Sequence, residues 1–132
     1  MSHQPRFQLV CCPSALAGAP AGWAAEMLRD GAVALLASEG IGPINEVAHA
    51  LDQATIAVLR SEQTRELQDR TVMSHAGALP LVWLAEDFSD EVTSWAHDRG
   101  PMTLLVEAPG PPPDEELRRI DRFVASLGRQ SE

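Results

Sequence analysis

The chain has 132 residues, a formal net charge of −9, and ten basic side chains that are all arginine, with no lysine or tyrosine. An acidic surface with scattered arginines repels a phosphate backbone, so no nucleic-acid partner is expected. Without lysine there is no Schiff base and no P-loop lysine. A hydrophobic share of 45% and a charged share of 22% fit one globular domain over residues 1–132, with flexible tails expected at 1–5 and 129–132.

From the N-terminus, "RFQLVCCPSA" reads as a buried strand over residues 7–12 that runs out in two adjacent cysteines, a proline and a serine. Four more apolar runs follow, at 32–37, 55–59, 81–85 and 102–106. Each is nearly continuous in apolar residues, the pattern of strands covered on both faces of a parallel sheet.

Helical patterns fill the intervals. "APAGWAAEMLRDG" sets Trp23, Met27 and Leu28 on one face, with Gly31 as a left-handed stop. "GPINEVAHALD" opens near Pro43 and aligns Ile44, Val47 and Leu51. "SEQTRELQDRTVMSHAG" is the most polar helix and spaces Glu66 and Arg70 at i, i+4. "FSDEVTSWAHDRG" offers Ser89 as its cap and Gly100 as its stop. After "APGPPP", Asp114 caps a last helix with an apolar stripe of Leu117, Ile120, Val124 and Leu127 and a Glu115–Arg119 pair. Five strands alternating with five helices predict a single doubly wound, five-stranded parallel α/β sheet of the flavodoxin-like kind, strand order 2-1-3-4-5.

In that order the ligand crevice lies between the loops after strands one and three, where the strand order reverses. Cys12 and Ser14 would then face Arg60 and Ser61, with the Arg60 guanidinium and the Ser61 hydroxyl forming a small anion pocket. The plainer alternative pairs Arg60 with a neighbouring acid and makes Ser61 a helix cap. The two cysteines read mainly as packing, one under each helix layer, with Cys12 the more exposed. Glu39, Glu86, Asp87 and Glu107 follow strands and suit either general acid–base work or helix capping. His49, His75 and His97 lie on different helices and no zinc spacing occurs, so neither a metal nor a cofactor is expected. Neighbouring cysteines do not make a disulfide framework, and neither a signal peptide nor a membrane-spanning run is expected. A cytoplasmic protein is the expectation.

The second half, "LPLVWLAEDFSDEVTSWAHDRGPMTLLVEAPGPPPDEELRRIDRFVASLG", resembles the closing half of a response-regulator receiver domain. Leu79-Pro80, Gly100 and Ala108-Pro109 fall at the intervals of that family's landmarks, and "MLRDGAVALLASEG" is similar to its first helix and second strand. The residues of receiver chemistry are replaced: Cys11-Cys12 stand where an acidic pair would hold Mg²⁺, and Leu59-Arg60-Ser61 where the phosphoaccepting aspartate would end strand three. Ala85 and Ala108 stand for the family's hydroxyl and lysine. The resemblance therefore implies a degenerate receiver, a regulatory or scaffolding domain that is not phosphorylated there. It also implies protein partner or homodimer contacts through the last two helices. "INEVAHALDQATIAVLRSEQTREL" is similar, in turn, to the middle of Toll/interleukin-1 receptor-like and nucleoside deoxyribosyltransferase-like domains. That likeness implies a nucleotide-like ligand, or an N-glycosidic bond cleaved with help from Glu62 or Glu66.

Overall fold

A computed structural model of the chain describes residues 6–17, 22–51, 56–108 and 112–130. Five parallel strands form one sheet: β1 (Phe7–Cys11), β2 (Gly31–Leu36), β3 (Ala57–Leu59), β4 (Leu81–Ala85) and β5 (Thr103–Glu107). Among the described residues six α-helices cover it: α1 (Pro13–Ala17), α2 (Trp23–Met27), α3 (Ile41–Leu51), α4 (Arg65–Ala76), α5 (Asp90–Arg99) and α6 (Asp114–Gln130). This is the doubly wound, flavodoxin-like α/β architecture expected from the alternation of apolar runs and helical stripes.

The strand order is β3-β2-β1-β4-β5, and the expected 2-1-3-4-5 is corrected. From β1 the chain steps outward twice on one face. The α1–α2 connection leads to β2 and α3 leads to β3, and both helix groups pack against the face that bears Phe7, Leu9, Cys11, Val33 and Leu35. Helix α4 then crosses beneath the whole half-sheet to β4, burying Val72 and Ala76 on the opposite face with Val10, Leu81 and Trp83. Helix α5 continues on that second face through Val92, and α6 returns to the first through Ile120 and Leu127. β3 is therefore an outer strand and β4 a central one. Their side chains agree: the middle of β3, Val58, is exposed, whereas Leu81 to Leu84 are all buried.

Several local expectations shift. The first crossover contains two short helices rather than one, because Pro13 opens a turn of helix directly after β1. Gly31 is not left-handed (φ −119°). It pairs with Phe7 across the sheet, and a Cβ there would lie 2.4 Å from Phe7 Cζ, so the glycine makes room for that buried ring. Gly100, at φ 67°, is the left-handed stop of α5, and Ser89 caps that helix by accepting the Val92 amide. Helix α6 runs to Gln130, through part of the expected C-terminal tail, and buries Leu117, Ile120 and Leu127 with Val124 partly covered. On it Arg119 pairs with Glu116 rather than Glu115 (3.2 Å). Arg70 reaches Glu91 on α5 (3.8 Å) rather than Glu66. The expected tail at 1–5 and the "PGP" of the linker lie outside the described residues. Among the described residues no helix is long and apolar enough to cross a membrane.

Candidate functional site

Strand order fixes where a ligand crevice can lie. From β1 the chain winds one way, and from β4 it winds the other, so the switch point falls between the carboxyl ends of β1 and β4. The expected crevice between strands one and three does not form, because β2 stands between them. At the actual switch point there is a cavity of about 250 Å³, lined by Cys12, Ser14, Glu39, Ala85, Glu86 and Ala108 among others. This is below the ~300–1,000 Å³ of ordinary small-molecule sites.

Two polar residues of this crevice, Glu39 and Ser14, engage each other, while Glu86 is exposed. Glu39, just after β2, reaches the start of α1, where its Oε1 accepts from the Ser14 amide (3.0 Å) and its Oε2 from the Ser14 hydroxyl (2.7 Å). The carboxylate thus fills the position an anionic ligand would take at the opening of that helix. Cys12 lies 3.8 Å from the Ser38 hydroxyl. Burial raises its thiol pKa above the ordinary value, outweighing the Ser38 hydrogen bond, with the Glu39 charge acting in the same direction as burial. Cys11 points to the opposite face, fully buried in the first core, and its pKa is raised further by burial, then by Cys12 and Glu39. Neither thiol has the electropositive surroundings that produce a thiolate nucleophile. The two cysteines pack one to each helix layer, and the half-buried one is Cys12.

Arg60, Ser61, Glu62 and Glu66 sit together at the carboxyl end of β3, on the outer edge of the sheet and away from Cys12 and Ser14. There the expected alternative to an anion pocket is found. Arg60 Nε donates to Glu62 Oε2 (2.9 Å), and the Thr71 hydroxyl donates to the same oxygen (2.7 Å). The Thr71 hydrogen bond, and after it Arg60, lowers the Glu62 pKa below its ordinary value. Glu62 is thus an ionised structural acceptor, poorly suited to giving up a proton. Gln68 closes the loop, its Oε1 accepting from the Glu62 amide (3.1 Å) and its Nε2 donating to the Arg60 carbonyl (3.2 Å). Ser61 caps nothing; Thr64 is the cap of α4, accepting from the Leu67 amide (3.2 Å). Glu66 lies exposed in the first turn of α4.

The other strand-end acids divide between pairing and exposure. Asp87 is held by Arg65, which also donates to the Asp87 carbonyl (2.9 Å), while Glu86 and Glu107 are exposed. Among the described residues no three His, Cys, Asp or Glu side chains come together as a metal site. Sequence reading singled out Glu39 and Ser14 separately and missed their pairing. The signal is the adjacency of β1 and β2, which puts the loops after them side by side. Comparison of the chain with models of protein families, with curated protein sequences and with solved structures finds no match.

Proposed function

We propose that the chain is a cytoplasmic regulatory or scaffolding domain that acts through protein contacts and is not phosphorylated at the receiver position. The observation that carries this reading is the closure of the switch-point crevice by the chain's own groups, above all Glu39 on Ser14. In that condition the Ser14 amide and hydroxyl are already engaged by Glu39, and neither thiol is an activated nucleophile. The receiver resemblance contributes the role and not the strand order.

On this reading the contact face is the β5 edge of the sheet with α5 on one side and α6 on the other. Helix α6 favours self-association. Its exposed Glu115, Arg118 and Arg122 follow one another at i, i+3 and i+7, acidic at the start of the helix and basic further along. Two such helices related by a two-fold axis and lying antiparallel set each acidic end against the other's basic end.

Sedimentation velocity over a range of concentrations tests this. The expected result is a dimer whose share grows with concentration and falls in the Arg118→Glu/Arg122→Glu variant. A strict monomer at every concentration, with no protein retained in pull-downs, would remove the reading.

A further inference from the structure

The β3 edge has features that neither the crevice nor the β5 face explains. Three large apolar side chains are exposed among the described residues: Ile41 (68%), Val58 (47%) and Leu67 (44%). All three belong to β3 or to the first turn of a helix that adjoins it, α3 before it and α4 after it. Among the described residues β3 is paired on one side only, by β2, so there its other edge presents unpaired backbone groups. An open groove of about 470 Å³ runs between the end of this strand, at Leu59 and Arg60, and one face of α4, at Leu67, Arg70 and His75.

We infer that this groove receives an extended, acidic segment of a partner protein, which adds to the sheet alongside β3 and places alternate apolar side chains against Leu59 and Leu67. An edge strand with a helix beside it supplies both halves of such recognition. Main-chain hydrogen bonds come from the strand, and pockets for every second side chain come from the groove. The charge argues for the sign of the occupant. In a chain of net charge −9, two guanidinium groups flank this groove: the Arg60 side chain is 84% exposed, and that of Arg70 is 64% exposed with Glu91 as a partner at 3.8 Å. Glu62, the acid that lines it, is 15% exposed and already held by Arg60 and Thr71. Arg60 engages Glu62 through Nε, leaving both terminal nitrogens of the fork for a carboxylate. A second copy of this acidic chain is the poorer occupant on charge. The inference rests on the protein-contact reading but concerns the opposite edge of the sheet from the proposed dimer face.

The test is a ¹⁵N-NMR titration of the full chain with two capped hexapeptides, one alternating glutamate and valine, the other lysine and valine. The expected result is that the glutamate peptide shifts the amides of Ala57, Val58, Leu59 and Leu67 and binds at least about tenfold more tightly than the lysine peptide. The Arg60→Glu/Arg70→Glu variant, altered at two exposed positions, is expected to reverse that preference. If the variant folds poorly, weakening of the glutamate complex by salt in the unaltered chain reads out the same charge term. Shifts absent from β3, confined to the α5–β5–α6 side, or equal for the two peptides would overturn the inference. Such a result would leave the dimer face standing if sedimentation still shows association. Loss of association with the β3 shifts retained would remove the dimer face and leave this groove.

Discussion

Above about pH 9 the protein is expected to lose stability steeply, and the loss is expected to trace to Cys11. The chain has no lysine and no tyrosine, so the two thiols are the side chains whose ordinary ionisation falls just above neutral to mildly alkaline pH. In the unfolded chain a cysteine ionises near its ordinary value of 9.0; in the fold, burial raises that of Cys11 far above it. A thiol whose pKa is raised on folding stabilises the native state fully below the unfolded value. That contribution is lost as the pH climbs from there toward the folded value, because the unfolded state can shed the proton and the native state cannot. Well above pH 9 the slope approaches about 1.4 kcal/mol per pH unit for one such thiol, which integrates to roughly 2.3 kcal/mol between pH 9 and pH 11. Cys12, half-buried and shifted in the same direction, adds to it. Urea unfolding midpoints measured across this range in the native chain, in Cys11→Ala and in the Cys11→Ala/Cys12→Ala variant provide the check. The single variant is expected to flatten the slope and the double variant to abolish it, whatever the cavity costs at neutral pH. An unchanged slope in both variants would contradict the placement of Cys11.

The largest loss from one substitution is expected at Trp83. It is 3% exposed in the middle of β4 and anchors the second core, with edge-to-face contacts to Phe88 (5.3 Å between centroids, 79° between planes) and Trp95 (6.4 Å, 83°). Arg99 covers the outer face of Trp95 at 4.6 Å, so the cluster is sealed by a cation over a ring. Trp83→Ala removes the indole and both aromatic contacts and leaves a cavity, at a cost of about 3–5 kcal/mol. For a domain of this size that lowers Tm by roughly 10–20 °C. Trp95→Ala, at a half-buried position, is expected to cost clearly less. A loss below about 1 kcal/mol for Trp83→Ala would mean that β4 is not a central strand.

These two residues also mark what sequence reading can and cannot reach. Leu-Val-Trp-Leu-Ala was readable as a strand to the residue, because a run apolar on both faces has one stable setting. The helix stops and caps with local chemistry, Ser89 and Gly100, were readable for the same reason. Strand order was not, because every interior strand of a parallel sheet carries the same apolar run and its neighbours are chosen by which face each helix covers. A partial signal lay in the third strand, which is short, ends in Ala57, Val58 and Leu59, and leads into the most polar of the middle helices. Those are traits of an edge. The misplaced order carried the candidate site with it. Arg60 and Ser61 were set opposite Cys12 and Ser14, whereas Glu39, one strand away, is the group that meets Ser14. Pairings that need three dimensions, such as Arg70 with Glu91, were likewise replaced by nearer ones in sequence.

The central claim, that the switch-point crevice is closed by the chain's own groups and the domain works by contacts, has one direct test. It is a thermal-shift series on the full chain with divalent metals, nucleotides, NAD, nucleosides and phosphorylated metabolites. A ligand present at about a hundred times its Kd would stabilise the native state by roughly 2.7 kcal/mol and raise Tm visibly. The account predicts a flat series. A rise with one nucleotide-like compound that Ser14→Ala abolishes would contradict the closed crevice, and a rise abolished instead by Arg60→Ala or Glu66→Gln would restore the enzymatic reading of the β3 end.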